Sequence, residues 1–202
     1  MARLIDLDAR SGITLGIFTA VAVTLGMVLL AALHFLPGSL VLFKEALVAI
    51  PLGPVYALML AKVPRRGVFL VNGAAIGLLF ALTGFFAAGA FTFLGGLLAD
   101  IIAGAGGYRS RTGNAAGYVA LRLGQAVGTY LPFYLWTDSF VADLAASGKL
   151  SPEFLAVFTS SLTAGMGLAV LAANVAGAVV GAAFGQSMLR RHFVRAGIVQ
   201  VE

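Results

Sequence analysis

Residues 51 to 67 read PLGPVYALMLAKVPRRG, an apolar run that stops at a basic corner made of Lys62, Pro64, Arg65, Arg66 and Gly67. A lipid bilayer accepts the first half of this stretch and rejects the second, so one short segment holds both a membrane span and its boundary. Short loops rich in Lys and Arg stay on the cytoplasmic side, and the corner therefore fixes an orientation as well. Only 10% of the chain is charged and its mean hydropathy is +1.01. A soluble domain carries about 25% charged residues. The sequence predicts an all-α integral membrane protein of one membrane domain, residues 1–202.

Further apolar stretches place six transmembrane helices, at about 12–35, 40–62, 68–86, 88–103, 115–136 and 154–189. A bilayer core of about 30 Å needs roughly 20 such residues. The first apolar run, 13–36, is longer than the 7–15 residues of a signal-peptide core, so it is expected to remain as a span. Pro51 and Pro54 predict a kink or a partly inserted start in the second span. The longest loop is expected at 137–153, and Ser151-Pro152-Glu153 has the pattern of a helix start.

Six spans put both termini on one side, and the charges agree. That side holds Arg3, Arg10, Lys62, Arg65, Arg66, Arg109, Arg111, Arg190, Arg191 and Arg195; the other holds Lys44 and Lys149, with Arg122 inside a span. Ten against two predicts that the N- and C-termini are cytoplasmic in a multi-pass membrane protein. The net charge of +5 is spread over separate loops, which argues against a nucleic-acid surface.

Catalytic motifs are missing. The two histidines, His34 and His192, fall at opposite predicted faces, so no metal cluster is expected; there are no cysteines. Gly185-Gln186-Ser187 lacks the final Gly of a nucleophile elbow, and Gly148-Lys149 lacks the rest of a phosphate-binding loop. No enzyme activity and no cofactor are expected.

Small residues recur every fourth position: Gly12, Gly16, Ala20 and Thr24 on the first span, Gly124 and Gly128 on the fifth, and Ala173, Gly177, Gly181 and Gly185 on the sixth. Such stripes let helix backbones approach closely in lipid, either inside the bundle or against another membrane protein. The partner reading is strongest for the first span.

Polar residues inside spans are costly and mark sites or internal pairs. Arg122, Gln125, Thr129, Phe133 and Trp136 follow one face of the fifth span, with Tyr130 and Tyr134 beside them and Asn174 at similar depth on the sixth. Trp136 suits an interfacial aromatic belt as well as a pocket. Asp100 and Arg122 are expected to form a structural ion pair. Lys44 and Glu45, at the outer end of the second span near His34, are either solvated charges or the rim of an outward pocket.

Gly53-Pro54-Val55-Tyr56 followed by Ala61-Lys62-Val63-Pro64-Arg65-Arg66-Gly67 resembles the Trep_Strep (MptD) family of substrate-binding S-components of energy-coupling factor (ECF) transporters. Gly95-Gly96-Leu97-Leu98-Ala99-Asp100, Tyr108-Arg109-Ser110, Tyr130-Leu131-Pro132 and the closing Arg191-His192-Phe193 to Val199 match in the same order. The resemblance implies capture of a vitamin or other micronutrient at the outer face. Release would follow docking on a membrane T-component carrying two cytoplasmic ATPases. It also implies docking through the first helix, at Gly12, Gly16, Ala20 and Thr24. Lys44, Glu45, Gln125, Thr129, Tyr130, Tyr134, Trp136 and Asn174 are the candidate ligand residues, with the aromatics suited to stacking on a flat cargo. A stand-alone secondary transporter is the alternative.

Overall fold

The computed structural model describes residues 5–148, 151–161 and 163–194 and contains, among them, eight α-helices. They are α1 (Ala9–Leu33), α2 (Lys44–Lys62), α3 (Val68–Leu82), α4 (Phe86–Ala105), α5 (Arg111–Leu135), α6 (Thr137–Ser147), α7 (Pro152–Ser160) and α8 (Ala164–Met188). A 3-10 turn, Gly38–Phe43, leads into α2, and a wider π-helical turn, Leu189–Val194, follows α8. The long helices form a ring in the order α1, α2, α8, α5, α4, α3, with α1 against α3 closing it loosely.

Four segments are long and apolar enough to cross a bilayer: Ala9–Leu33, Gly38–Lys62, Phe86–Ala105 and Ala164–Arg191. The third expected span is a shorter apolar helix of 15 residues. The fifth, 25 residues long, is set apart by Arg122, Gln125 and Asn114. Side chains such as Ile13, Ile17, Leu78, Phe93, Leu98, Ile101, Val180 and Phe184 point outward, giving the bundle an apolar exterior suited to lipid.

What holds the ring together is close backbone approach. A Cβ built on Gly177, Gly181 or Gly53 would land on the carbonyl of Ala46, Ala49 or Gly181, so α2 and α8 run in parallel with almost no space between their backbones. On the antiparallel α4–α5 pair, a Cβ on Gly124 would meet the Phe91 carbonyl at 2.6 Å and one on Gly128 the Ala87 carbonyl at 2.7 Å. The stripes on the fifth span and on α8 are therefore internal packing seams.

Three expectations change. The sixth span does not run unbroken from 154 to 189. A helix of that length would measure about 54 Å at 1.5 Å per residue, far more than the hydrocarbon core. The chain instead breaks after Ser160, and Thr163 caps α8 by accepting from the Met166 N–H at 3.1 Å. The expected loop at 137–153 contains a helix, α6, which ends at Gly148 in the left-handed conformation (φ 64°). The helix start at Ser151-Pro152-Glu153 is where α7 begins. The second span keeps its helix through Pro51 and Pro54, and its irregularity lies before Lys44 in the 3-10 turn.

The expected Asp100–Arg122 pair is not formed. Asp100 is buried and accepts from the Gly67 and Phe69 N–H groups (3.0–3.1 Å) and from the Tyr108 hydroxyl (2.9 Å). It caps α3 from a neighbouring helix, placing a carboxylate where the helix N-terminus favours negative charge. Arg122 lies out of reach because the α4–α5 register sets it near Gly95: a Cβ there would meet the Leu121 carbonyl at 3.2 Å. That is five residues, about 7 Å along the helix, from Asp100. Around this cap gather the basic loops. The Asp6 N–H donates to the Arg66 carbonyl (3.0 Å), Asp8 faces Arg65 (3.4 Å), and Gln186 donates to the Arg111 carbonyl (2.8 Å).

Replacing Asp100 with Ala strands two helix-terminal N–H groups and leaves the Tyr108 hydroxyl only its longer bond to the residue 100 carbonyl (3.2 Å). Each stranded group costs about 1–3 kcal/mol. The unfolding midpoint in detergent should fall by several degrees, and Asp100→Asn, which keeps the acceptor oxygen, should recover part of the loss.

Candidate functional site

The half of the bundle away from the basic corner holds a buried polar cluster contributed by α2, α5 and α8. Glu45, Arg122, Gln125 and Asn174 are each no more than 6% exposed. The Arg122 guanidinium donates to Gln125 Oε1 (2.6 Å) and to the Glu45 backbone carbonyl (3.2 Å). Thr129 donates to the Gln125 carbonyl at 2.9 Å and faces the Glu45 carboxylate. Asn174 donates to the Val170 carbonyl (3.0 Å) within its own helix. It stands three residues before Gly177, which packs on Ala46, and so lies level with the start of α2.

Three atoms of this cluster have no hydrogen-bond partner although they are buried: Glu45 Oε2, Arg122 Nε and Asn174 Oδ1. A buried polar group without a partner costs about 1–3 kcal/mol, more when charged. Open acceptors on Glu45 and Asn174 and an open donor on Arg122, all in the same half of the bundle, fit small polar molecules or ordered water. Above the cluster, Tyr130 and Phe133 join Leu42, Leu144, Leu155 and Val170 in an apolar layer built from α5, the α6–α7 pair and α8.

Sequence reading assembled much of this set and misjudged its edges. Glu45, Gln125 and Thr129 lie side by side around Arg122, whereas Asn174 bonds within its own helix on the neighbouring α8. Tyr130 is buried beside them, but its hydroxyl is committed to the Leu42 carbonyl (2.7 Å). Lys44 turns to the bundle end, where its ammonium meets His34 Nδ1 at 3.4 Å. Tyr134 reaches the Thr163 carbonyl at 3.3 Å, and Trp136 is 57% exposed. An exposed Trp at the end of α5 suits an interfacial belt. Arg122, assigned to an ion pair with Asp100, is a central member of the cluster. Its spacing of three from Gln125 was the signal for that role.

A second polar chain was missed. The Tyr56 hydroxyl donates to Asn72 Oδ1 (2.8 Å), and Asn72 donates to Thr19 (2.9 Å), linking α2, α3 and α1. Asn72 is fully buried. As the one amide within an apolar 15-residue helix, it carried the same signal as Gln125.

Gly12, Gly16, Ala20 and Thr24 behave unlike every other stripe. They are exposed, and a Cβ added at Gly12 or Gly16 would meet nothing within 4 Å. They line a groove of about 510 Å³ between α1 and α3, whose other wall includes Val71, Ala75 and Leu79. Only 11% of the most apolar stretch of α1 is buried, against 50% for Gly38–Lys62. Of the four segments long enough to cross a bilayer, α1 is the least buried.

Apolar helices, an apolar exterior and buried polar clusters together define a multi-pass helical membrane protein. Residues 9–195 match the family model described as a hypothetical bacterial integral membrane protein (Trep_Strep), and the chain belongs to that family. No curated protein and no solved structure matches the chain.

Removing one charge from the cluster should cost more than removing both. Breaking a buried charge arrangement by deleting one member costs about 3–5 kcal/mol. Arg122→Gln should therefore be less stable than the Glu45→Gln/Arg122→Gln double variant, and a double-mutant cycle on detergent unfolding reads the coupling.

Proposed function

We propose that this chain is the substrate-binding S-component of an ECF-type importer. It captures a vitamin or similar micronutrient at the face remote from the basic corner. Docked on a T-component with two ATPases, it delivers that cargo to the cytoplasm. The observation that carries this reading is the open stripe on α1. All the other glycine seams are filled by a neighbouring backbone, whereas this one meets nothing inside the chain. A helix surface suited to close packing and left unpacked fits a membrane partner.

The unpartnered atoms of Glu45, Arg122 and Asn174 supply the cargo half of the reading. They would bind a ligand carrying both donors and an acceptor in a site walled by Tyr130 and Phe133. Orientation rests on the Lys and Arg count: the basic loops face the cytoplasm, which puts this cluster toward the outside. ATP hydrolysis belongs to the partners.

Gly16→Leu fills the stripe without touching the bundle. Its unfolding midpoint should match that of the parent, while co-purification with a co-expressed T-component and ATP-driven uptake are lost. Retained co-purification would overturn docking through α1.

A stand-alone secondary transporter gains one supporting observation, because Glu45 is a buried carboxylate inside the span Gly38–Lys62. Buried acids of this kind serve proton coupling. Vesicles containing the protein alone separate the two readings. The S-component reading expects no proton-driven uptake in the parent or in Glu45→Gln. Uptake by the parent that is abolished in Glu45→Gln would establish the transporter.

A further inference from the structure

A cleft of about 340 Å³ opens at the basic end, between α2, α5 and α8. Its mouth carries Arg109, Arg111 and Arg190, and no carboxylate is among its lining residues. Its depth is formed by small and apolar groups, including Gly53, Ala57, Leu60 and Ala182, and by the rings of Tyr56 and Tyr118. Both tyrosine hydroxyls are committed, Tyr56 to Asn72 (2.8 Å) and Tyr118 to the Ala49 carbonyl (2.6 Å), so the rings offer carbon surface to an occupant. Asn114 also lines the cleft. Its Nδ2 donates to the Tyr108 carbonyl (2.9 Å), and its buried Oδ1 has no partner.

We propose that this cleft binds an anionic phospholipid whose head group also carries a hydroxyl. Each requirement comes from a different feature. The guanidiniums at the mouth call for a phosphate, which Arg binds through paired N–H donors. The open Asn114 Oδ1 calls for a hydroxyl donor. The apolar depth calls for carbon. A basic pocket between spans at the bilayer surface is where anionic head groups bind. Its volume admits a head group and the first methylenes, while the remaining acyl chain stays in the surrounding bilayer. The site is separate from the Glu45–Arg122 cluster and stands whether or not that cluster binds cargo.

Native mass spectrometry of the full chain in mild detergent tests this, with phosphatidylglycerol, phosphatidylcholine and glycerol phosphate as probes. The parent should retain one phosphatidylglycerol in preference to phosphatidylcholine. At about 1 kcal/mol per basic residue, the Arg111→Gln/Arg190→Gln variant should bind it about thirtyfold more weakly. Ala57→Phe fills the depth and leaves the charges in place; it should also lose the lipid while keeping its unfolding midpoint. Equal retention of both lipids would overturn the proposal, as would undiminished binding by either variant. Occupancy by glycerol phosphate at the same concentration as the lipid would assign the cleft to a soluble phosphate ester and overturn it too.

Discussion

In lipid, helices gain nothing by hiding apolar side chains from one another, because the solvent is already apolar. The bundle therefore depends on how closely backbones approach, and that distance is set by residues without side chains. Gly53, Gly177, Gly181 and Gly185 bring α2 and α8 together, and Gly95, Gly124 and Gly128 do the same for α4 and α5. With these two seams closed, α2 and α5 become neighbours through the middle of the ring. Two hydrogen bonds then cross between them, Tyr118 to the Ala49 carbonyl and Arg122 to the Glu45 carbonyl, and Tyr130 adds a third to the Leu42 carbonyl in the 3-10 turn that leads into α2. The polar interior is a consequence of the glycine seams.

The buried polar groups divide by how completely they are satisfied. Asp100 receives backbone donors from two residues and a tyrosine hydroxyl; Tyr56, Asn72 and Thr19 form a continuous chain. Both sets tie helices together and leave little for a ligand. The cluster on α2, α5 and α8 is different, since a carboxylate oxygen, a guanidinium nitrogen and an amide oxygen all stay open. Unsatisfied groups in a protein interior call for a reason of their own. Satisfaction, more than polarity, separates the structural residues from the candidate site.

Much of this was legible in the sequence where local chemistry decides. The apolar runs and the basic corner marked most helix limits within a few residues. The four-residue stripes were visible, but nothing in them said which would be filled. Gly124 and Gly16 look alike until the partner backbone is placed: Gly95 lies against the first and nothing against the second. The Asp100–Arg122 assignment failed for the same reason. Two opposite charges at similar depth invite pairing, but helix register and face settle it, and both arise from packing elsewhere. The break between α7 and α8 was hidden because Ser160, Ser161 and Thr163 are tolerated within helices and also cap them well.

The two halves of the molecule meet along α5. Arg122, in the polar cluster, and Tyr118, at the deep end of the basic cleft, are one helical turn apart. Both reach across to α2, so little more than a turn of helix separates the two sites. The walls of this region are not equivalent. α2 meets α8 backbone to backbone, a contact that admits no side chain and resists separation. α2 and the 3-10 turn before it meet α5 through three side chains that end on carbonyls. Net, such hydrogen bonds contribute only about 0.5–1.5 kcal/mol each, rising to about 1.5–3 kcal/mol where the donor is charged. The α2–α8 pair is thus a fixed wall, and the seam between α2 and α5 is the one whose closure depends on a few replaceable hydrogen bonds.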